Sequence, residues 1–84
     1  MKVQVLFFGE LRETVGTAYE SVEVVAGMSV SDLIEQLAAR GEPWKTAFKA
    51  SDPLRVAINK DMATLHAALP DNAEVAFFRP VTGG

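Results

Sequence analysis

The residues that could do chemistry are few, and the most telling of them stand together at one end. The sequence finishes "VAFFRPVTGG", so Gly83 and Gly84 present a main-chain carboxylate with no side chain beside it. Such a carboxylate is ionised and unreactive at neutral pH. Joined to AMP at the expense of ATP, it becomes an acyl adenylate whose carbonyl is open to a sulfur or nitrogen nucleophile. That activation belongs in another protein's active site, and a backbone without Cβ can thread a channel that any side chain would block. Pro80 favours an extended exit, because it has no N–H to continue a strand ladder and its φ is fixed. From Pro80 to Gly84 the reach is at most about 16 Å, at roughly 3.3 Å per extended residue. The competing reading is two glycines that fray at a chain end and do nothing.

The rest of the chain is poor in catalytic groups. His66 is the only histidine and there is no cysteine, so His66 reads as a packed or solvent-facing side chain and no thiolate nucleophile or thiolate metal site can be assembled. The eleven carboxylates fall on the expected polar faces. Gly9 and Gly16 bracket a turn without a Walker or G-x-G-x-x-G pattern, which argues against a phosphate cradle. The domain is therefore expected not to catalyse alone and to hold no cofactor or metal stably. With a net charge of −3 and eight basic residues scattered along the chain, it lacks the electrostatic footprint of a nucleic-acid binder. The opening "MKVQVLFFGEL" alternates like a strand and is too short to cross a bilayer, so it reads as mature structure with no membrane role. Absence of cysteine suits a reducing cytoplasm.

These groups must be positioned by a small fold. At 84 residues, 49% of them hydrophobic, the chain fits one domain over residues 1–84, with an extended tail from residue 79. "KVQVLFF" at 2–8 reads as a strand, with Val3, Val5 and Phe7 on one face and Gln4, Leu6 and Phe8 on the other. "GELRETVG" suggests a helical turn stopped by Gly16, and residues 19–25 a second strand hairpin-paired with the first. Ser29 and Asp32 form a capping box at the start of the main helix, with Met28 and Leu33 as a hydrophobic staple. Val30, Leu33, Ile34, Leu37 and Ala38 make its apolar stripe, and Gly41 its stop. Pro43 opens a short turn with Trp44 and Phe48 stacked four apart as core. "LRVAINK" is a third strand with Leu54, Val56 and Ile58 inward, and residues 62–65 a short edge strand. After an "LPDN" turn comes the last strand, "EVAFFR", with Val75 and Phe77 on one face and Glu74, Ala76 and Phe78 on the other.

This order predicts an α+β fold of the β-grasp, or ubiquitin-like, kind: a mixed sheet of about five strands, one main helix on one face, and a flexible Gly-Gly tail. The first and last strands then lie parallel in the middle of the sheet. Leu6, Phe8, Ala76 and Phe78 are expected to share the open face, and a small monomer seldom exposes such a patch without a partner.

Over nearly its whole length, from "VLFFGELRETVG" through "VAINKD" to "DNAEVAFFRPVTGG", the sequence resembles the small, sulfur-carrier subunits of molybdopterin synthase. It departs from their usual ending where Arg79 replaces a second proline. The resemblance implies that an activating enzyme similar to the ubiquitin-activating type uses ATP to place a transient acyl-AMP on Gly84. A sulfur donor then converts it to a thiocarboxylate. It further implies insertion of the tail into a large subunit, in a heterotetramer of two small and two large chains, and sulfur delivery to cyclic pyranopterin monophosphate. Carried onto this sequence, the partner-binding residues are Phe8, Met62 and Phe78 on the sheet and Pro80, Val81 and Thr82 in the tail, with Gly83 giving passage to the reacting Gly84. Other readings are a thiamin-pathway sulfur carrier, a ubiquitin-like modifier that conjugates to lysine, and a β-grasp interaction module whose tail is idle.

Overall fold

The structure is a computed structural model that describes residues 1–48 and 53–80. Alternation builds its strands. In β1 (Lys2–Phe7), Val3, Val5 and Phe7 are buried while Lys2, Gln4 and Leu6 are more open, as a period of two requires when one face meets a core. β2 (Tyr19–Glu23) returns antiparallel beside it, with Leu6 opposite Tyr19 and Lys2 opposite Glu23. Between them α1 (Gly9–Val15) forms seven residues of helix, more than the single turn the spacing suggested. It ends on Gly16 at φ 79, a left-handed conformation in which the glycine N–H donates to the Arg12 carbonyl without the strain a Cβ would bring.

The expected second strand loses its last two residues. Val24 is still buried, and its N–H donates to the Met1 carbonyl at 2.8 Å. Val25 is 71% exposed, because the chain turns there and the Met28 N–H donates back to the Val25 carbonyl.

α2 (Val30–Ala38) follows, with Val30, Leu33 and Leu37 buried. Ser29 Oγ accepts from the Asp32 N–H at 3.2 Å and an Asp32 carboxylate oxygen accepts from the Ser29 N–H at 3.0 Å, so the capping box is reciprocal. Met28 packs against the same core as Leu33, as a staple should. The helix gives way at Ala39, and Gly41, at φ 89, lies two residues beyond that cap instead of adjoining the last helical turn. In the short α3 (Trp44–Ala47), Pro43 is the cap and not the first helical residue, and the Glu42–Pro43 peptide is cis. Trp44 and Phe48 belong to the core as expected, but they meet through Phe7: its ring lies edge-on to both, with centroids 5.4 and 6.2 Å away. Phe48 in turn meets Phe77 edge-on at 5.3 Å, the geometry that aromatic quadrupoles favour.

β3 (Arg55–Ile58) and β4 (Asp61–Ala63) form a hairpin with Ile58 opposite Asp61. Asn59 and Lys60, at φ 50 and 72, supply the two left-handed residues that a tight two-residue hairpin turn needs. β4 is shorter than the 62–65 expected and begins earlier, because Leu65 is already engaged elsewhere: its carbonyl accepts the Ser31 N–H at 2.8 Å. β5 (Glu74–Phe78) runs parallel to β1, with Val5 beside Val75 and Phe7 beside Phe77, and antiparallel to β3.

The resulting sheet has the order β2-β1-β5-β3-β4. Val3, Val5, Phe7, Val56, Val75 and Phe77 point from it into one cluster with Leu11 of α1, Leu33 and Leu37 of α2, and Phe48. A mixed five-stranded sheet with a central parallel pair and its helices on one face is the β-grasp arrangement.

Candidate functional site: the open sheet face and the exit of the last strand

The face of the sheet turned away from α2 is set by strand register. Tyr19, Leu6, Ala76, Ala57 and Met62 are successive cross-strand neighbours, one from each strand, and form a continuous row over the whole width of the sheet. One step towards the C-terminal end of β5, Phe78 lies opposite Arg55. Phe8 extends the β1 ladder there, its N–H donating to the Phe77 carbonyl at 3.2 Å. In the other direction the face becomes polar: Gln4 lies beside both Ser21 and Glu74, and the Tyr19 hydroxyl donates to the Gln4 side-chain carbonyl. The apolar part of the face is thus concentrated at the end from which the chain leaves.

Phe8 is 49% exposed and Met62 60%. Phe78 is half-buried, and Ala76, expected to face solvent, is buried at 9% although it lies outside the main core cluster. The reason is steric. Ala76 carries only a methyl group and lies mid-sheet between Leu6 and Ala57, so it forms the floor of a shallow apolar surface rimmed by Phe8, Phe78 and Met62. From β1 to β4 this surface spans three strand spacings, about 14 Å. Exposed large apolar groups that adjoin one another mark association surfaces.

Phe8, Met62 and Phe78 are therefore brought to one face as the sequence suggested, and Pro80 follows two residues after Phe78. Val81, Thr82, Gly83 and Gly84 lie outside the described residues. Two contributors were not singled out in the sequence. Tyr19 closes the apolar row on the β2 side, a place that follows from pairing residue 19 with residue 6 in the hairpin. Arg55 stands next to Phe78, which becomes evident only when β3 is placed antiparallel to β5.

Other chemistry finds little support among the described residues. No group of three or more His, Asp or Glu side chains is arranged to hold a metal ion, and no buried side-chain nitrogen or oxygen lacks a partner. His66 is exposed. The start of α2 has no spare donors for an anion: the N–H groups of Ser29, Val30, Ser31 and Asp32 donate to an Asp32 carboxylate oxygen, Ala67 O, Leu65 O and Ser29 Oγ, which satisfies the four groups a helix start normally leaves open. Among the described residues no helix is long and apolar enough to cross a membrane.

With this geometry in view, the likeness to other proteins is specific. A model of the ThiS family matches residues 5–84. The chain is 40% identical over 83 residues to the molybdopterin synthase sulfur carrier subunit of Escherichia coli (strain K12), covering 98% of this chain and 99% of that one. Among solved structures, the putative molybdopterin converting factor, subunit 1, of Pyrococcus furiosus superposes with a TM-score of 0.79 at 27% identity, over 96% of this chain and 99% of that chain. SAMP1 of Haloferax volcanii, a small archaeal modifier protein, gives the same TM-score of 0.79 at 25% identity over the full length of both chains.

Proposed function

The chain belongs to the ThiS family, and from that premise we propose that it is the sulfur carrier subunit of a molybdopterin synthase, acting in the biosynthesis of the molybdenum cofactor. The observation that carries this reading is the end-to-end match to a sulfur carrier subunit of that enzyme. The structure supports it with an apolar face beside the exit of a central strand.

In the proposed cycle the fold binds and the tail reacts. An activating enzyme joins AMP to the Gly84 carboxylate, releasing pyrophosphate from ATP, and a sulfur donor displaces AMP as a C–S bond replaces the C–O anhydride bond. This chain needs no resident cofactor for that step, since nucleotide and donor are held by the partners. Phe8, Phe78 and Met62 then dock on the large subunit, with Pro80, Val81 and Thr82 leading the tail inward. Gly83 lets it pass, and the Gly84 thiocarboxylate gives its sulfur to cyclic pyranopterin monophosphate. Two deliveries build the dithiolene, which suits a cytoplasmic heterotetramer of two small and two large subunits.

The direct test is intact mass. Supplied with the activating enzyme, ATP and a sulfur source, the chain gains about 16 Da, the difference between sulfur and oxygen, and fragmentation places the gain on Gly84. A mass that never changes with a competent enzyme rejects the carrier role. The likeness to a small archaeal modifier protein favours a second use of the same activated end, attack by a lysine amine. A covalent adduct of this chain with another protein, in place of the thiocarboxylate, is the outcome that distinguishes it.

A further inference from the structure

β5 ends at Phe78, and the next side chain is charged. By alternation Arg79 lies on the same side as Val75 and Phe77, the side covered by the helices. Its guanidinium is used on main-chain carbonyls: Nη2 donates to Ala47 O, and Nη1 donates to Pro53 O at 3.3 Å. Ala47 is the last residue of α3, where carbonyls have no intrahelical partner. Pro53 lies two residues before β3. The planar fork of an arginine can hold two acceptors at once, which a lysine cannot do with the same fixed geometry. Arg79 thus ties the end of β5 to α3 and to the approach of β3, one residue before Pro80.

We propose that Arg79 is a positioning residue for sulfur delivery: its grip on Ala47 O and Pro53 O sets the direction in which the tail leaves the sheet. This inference rests on the reading that the tail enters a partner's active site. Pro80 fixes its own φ, so the aim of the segment that follows depends on whether the preceding residue is held. With the grip intact, the main chain at Arg79 is held in one direction and Pro80 follows it. Without it, Arg79 itself is free to turn while Phe78 stays paired opposite Arg55, so the tail leaves in more directions and fewer of them bring the Gly84 carbonyl to the reacting geometry. Phe8, Phe78 and Met62 lie on the opposite face of the sheet, so loss of the grip leaves the docking surface intact.

The experiment uses full-length chains bearing a C-terminal thiocarboxylate, prepared by intein cleavage with sulfide, so that no activating enzyme is needed. Wild type, Arg79→Ala and Arg79→Lys are mixed with the large subunit and cyclic pyranopterin monophosphate. For Arg79→Ala the expected result is an affinity within about twofold of wild type and a single-turnover rate, at saturating partner, lower on the order of tenfold. Arg79→Lys, able to hold one carbonyl, falls between, and the amide order parameter at residue 79 drops in parallel with the rate. Equal rates in wild type and Arg79→Ala, or a lost rate regained by adding more large subunit, overturn the inference. Where Arg79→Ala melts too low to assay, Arg79→Lys decides: a slower saturated rate at unchanged affinity upholds it, and a wild-type rate overturns it. No product from the wild-type control rejects the sulfur-carrier reading itself and the inference with it.

Discussion

Phe77 and Phe78 are adjacent and chemically identical, yet the structure gives them opposite surroundings. Phe77 is fully buried against Phe48, while Phe78 stands half-buried on the open face opposite Arg55. Phe77→Ala removes a core ring and is expected to cost about 3 to 5 kcal/mol of stability, a large share of what so small a domain possesses. Phe78→Ala is expected to leave the melting temperature nearly unchanged and weaken association with the large subunit by about 2 kcal/mol, as loss of an aromatic anchor does. Melts and titrations that rank the two the other way would invert the faces of β5. Those faces were legible in the sequence, because alternation in "EVAFF" leaves one assignment once Val75 is placed inward. The burial of Ala76 was not, since it depends on the placing of β5 mid-sheet between β1 and β3. Nor was the grip of Arg79: its acceptors are main-chain carbonyls, which leave no mark in the pattern of side chains.

At the level of elements, local signals set the starts well and the ends less well. The capping box of Ser29 and Asp32 was readable because both hydrogen bonds lie within four residues. Ser29→Ala should cost about 1 kcal/mol, read as a lower urea midpoint at constant slope. Gly16→Ala should cost a similar amount, about 1 kcal/mol, for a different reason. A Cβ at Gly16 would meet nothing within 4 Å, so the penalty is the left-handed backbone alone, and an asparagine there should recover part of it. A Gly16→Ala variant as stable as wild type would show that the helix end had rearranged. Where β2 and β4 stop could not be read locally. The Met1 carbonyl takes the Val24 N–H, and the Leu65 carbonyl takes the Ser31 N–H. Both are contacts between segments distant in sequence, and they decide which residues continue a ladder.

For the molecule as a whole, the proposed mechanism assigns docking and reaction to separate parts, a patch on the sheet and a tail beyond it. Gly83→Val should therefore leave the complex with the large subunit intact on gel filtration while blocking turnover, because a β-branched side chain cannot follow where bare backbone passes. Deleting Gly84 should spare the fold and abolish turnover, since the carboxylate retreats by about 3.5 Å. Full turnover by the deletion rejects the mechanism, and loss of the complex in Gly83→Val would make the tail the main source of affinity. The order of elements made this architecture readable in advance, but the concentration of the apolar surface at one end of the sheet needed the register. That register also has a mechanical consequence. β5 lies between β1, parallel to it, and β3, antiparallel, so a pull on the C-terminus acts along the strand and across hydrogen bonds on both of its sides. Such bonds are loaded together in shear and cannot be peeled off one at a time. In the proposed cycle, where the end is drawn into one partner after another, the protein can thus be tugged by that end without unravelling.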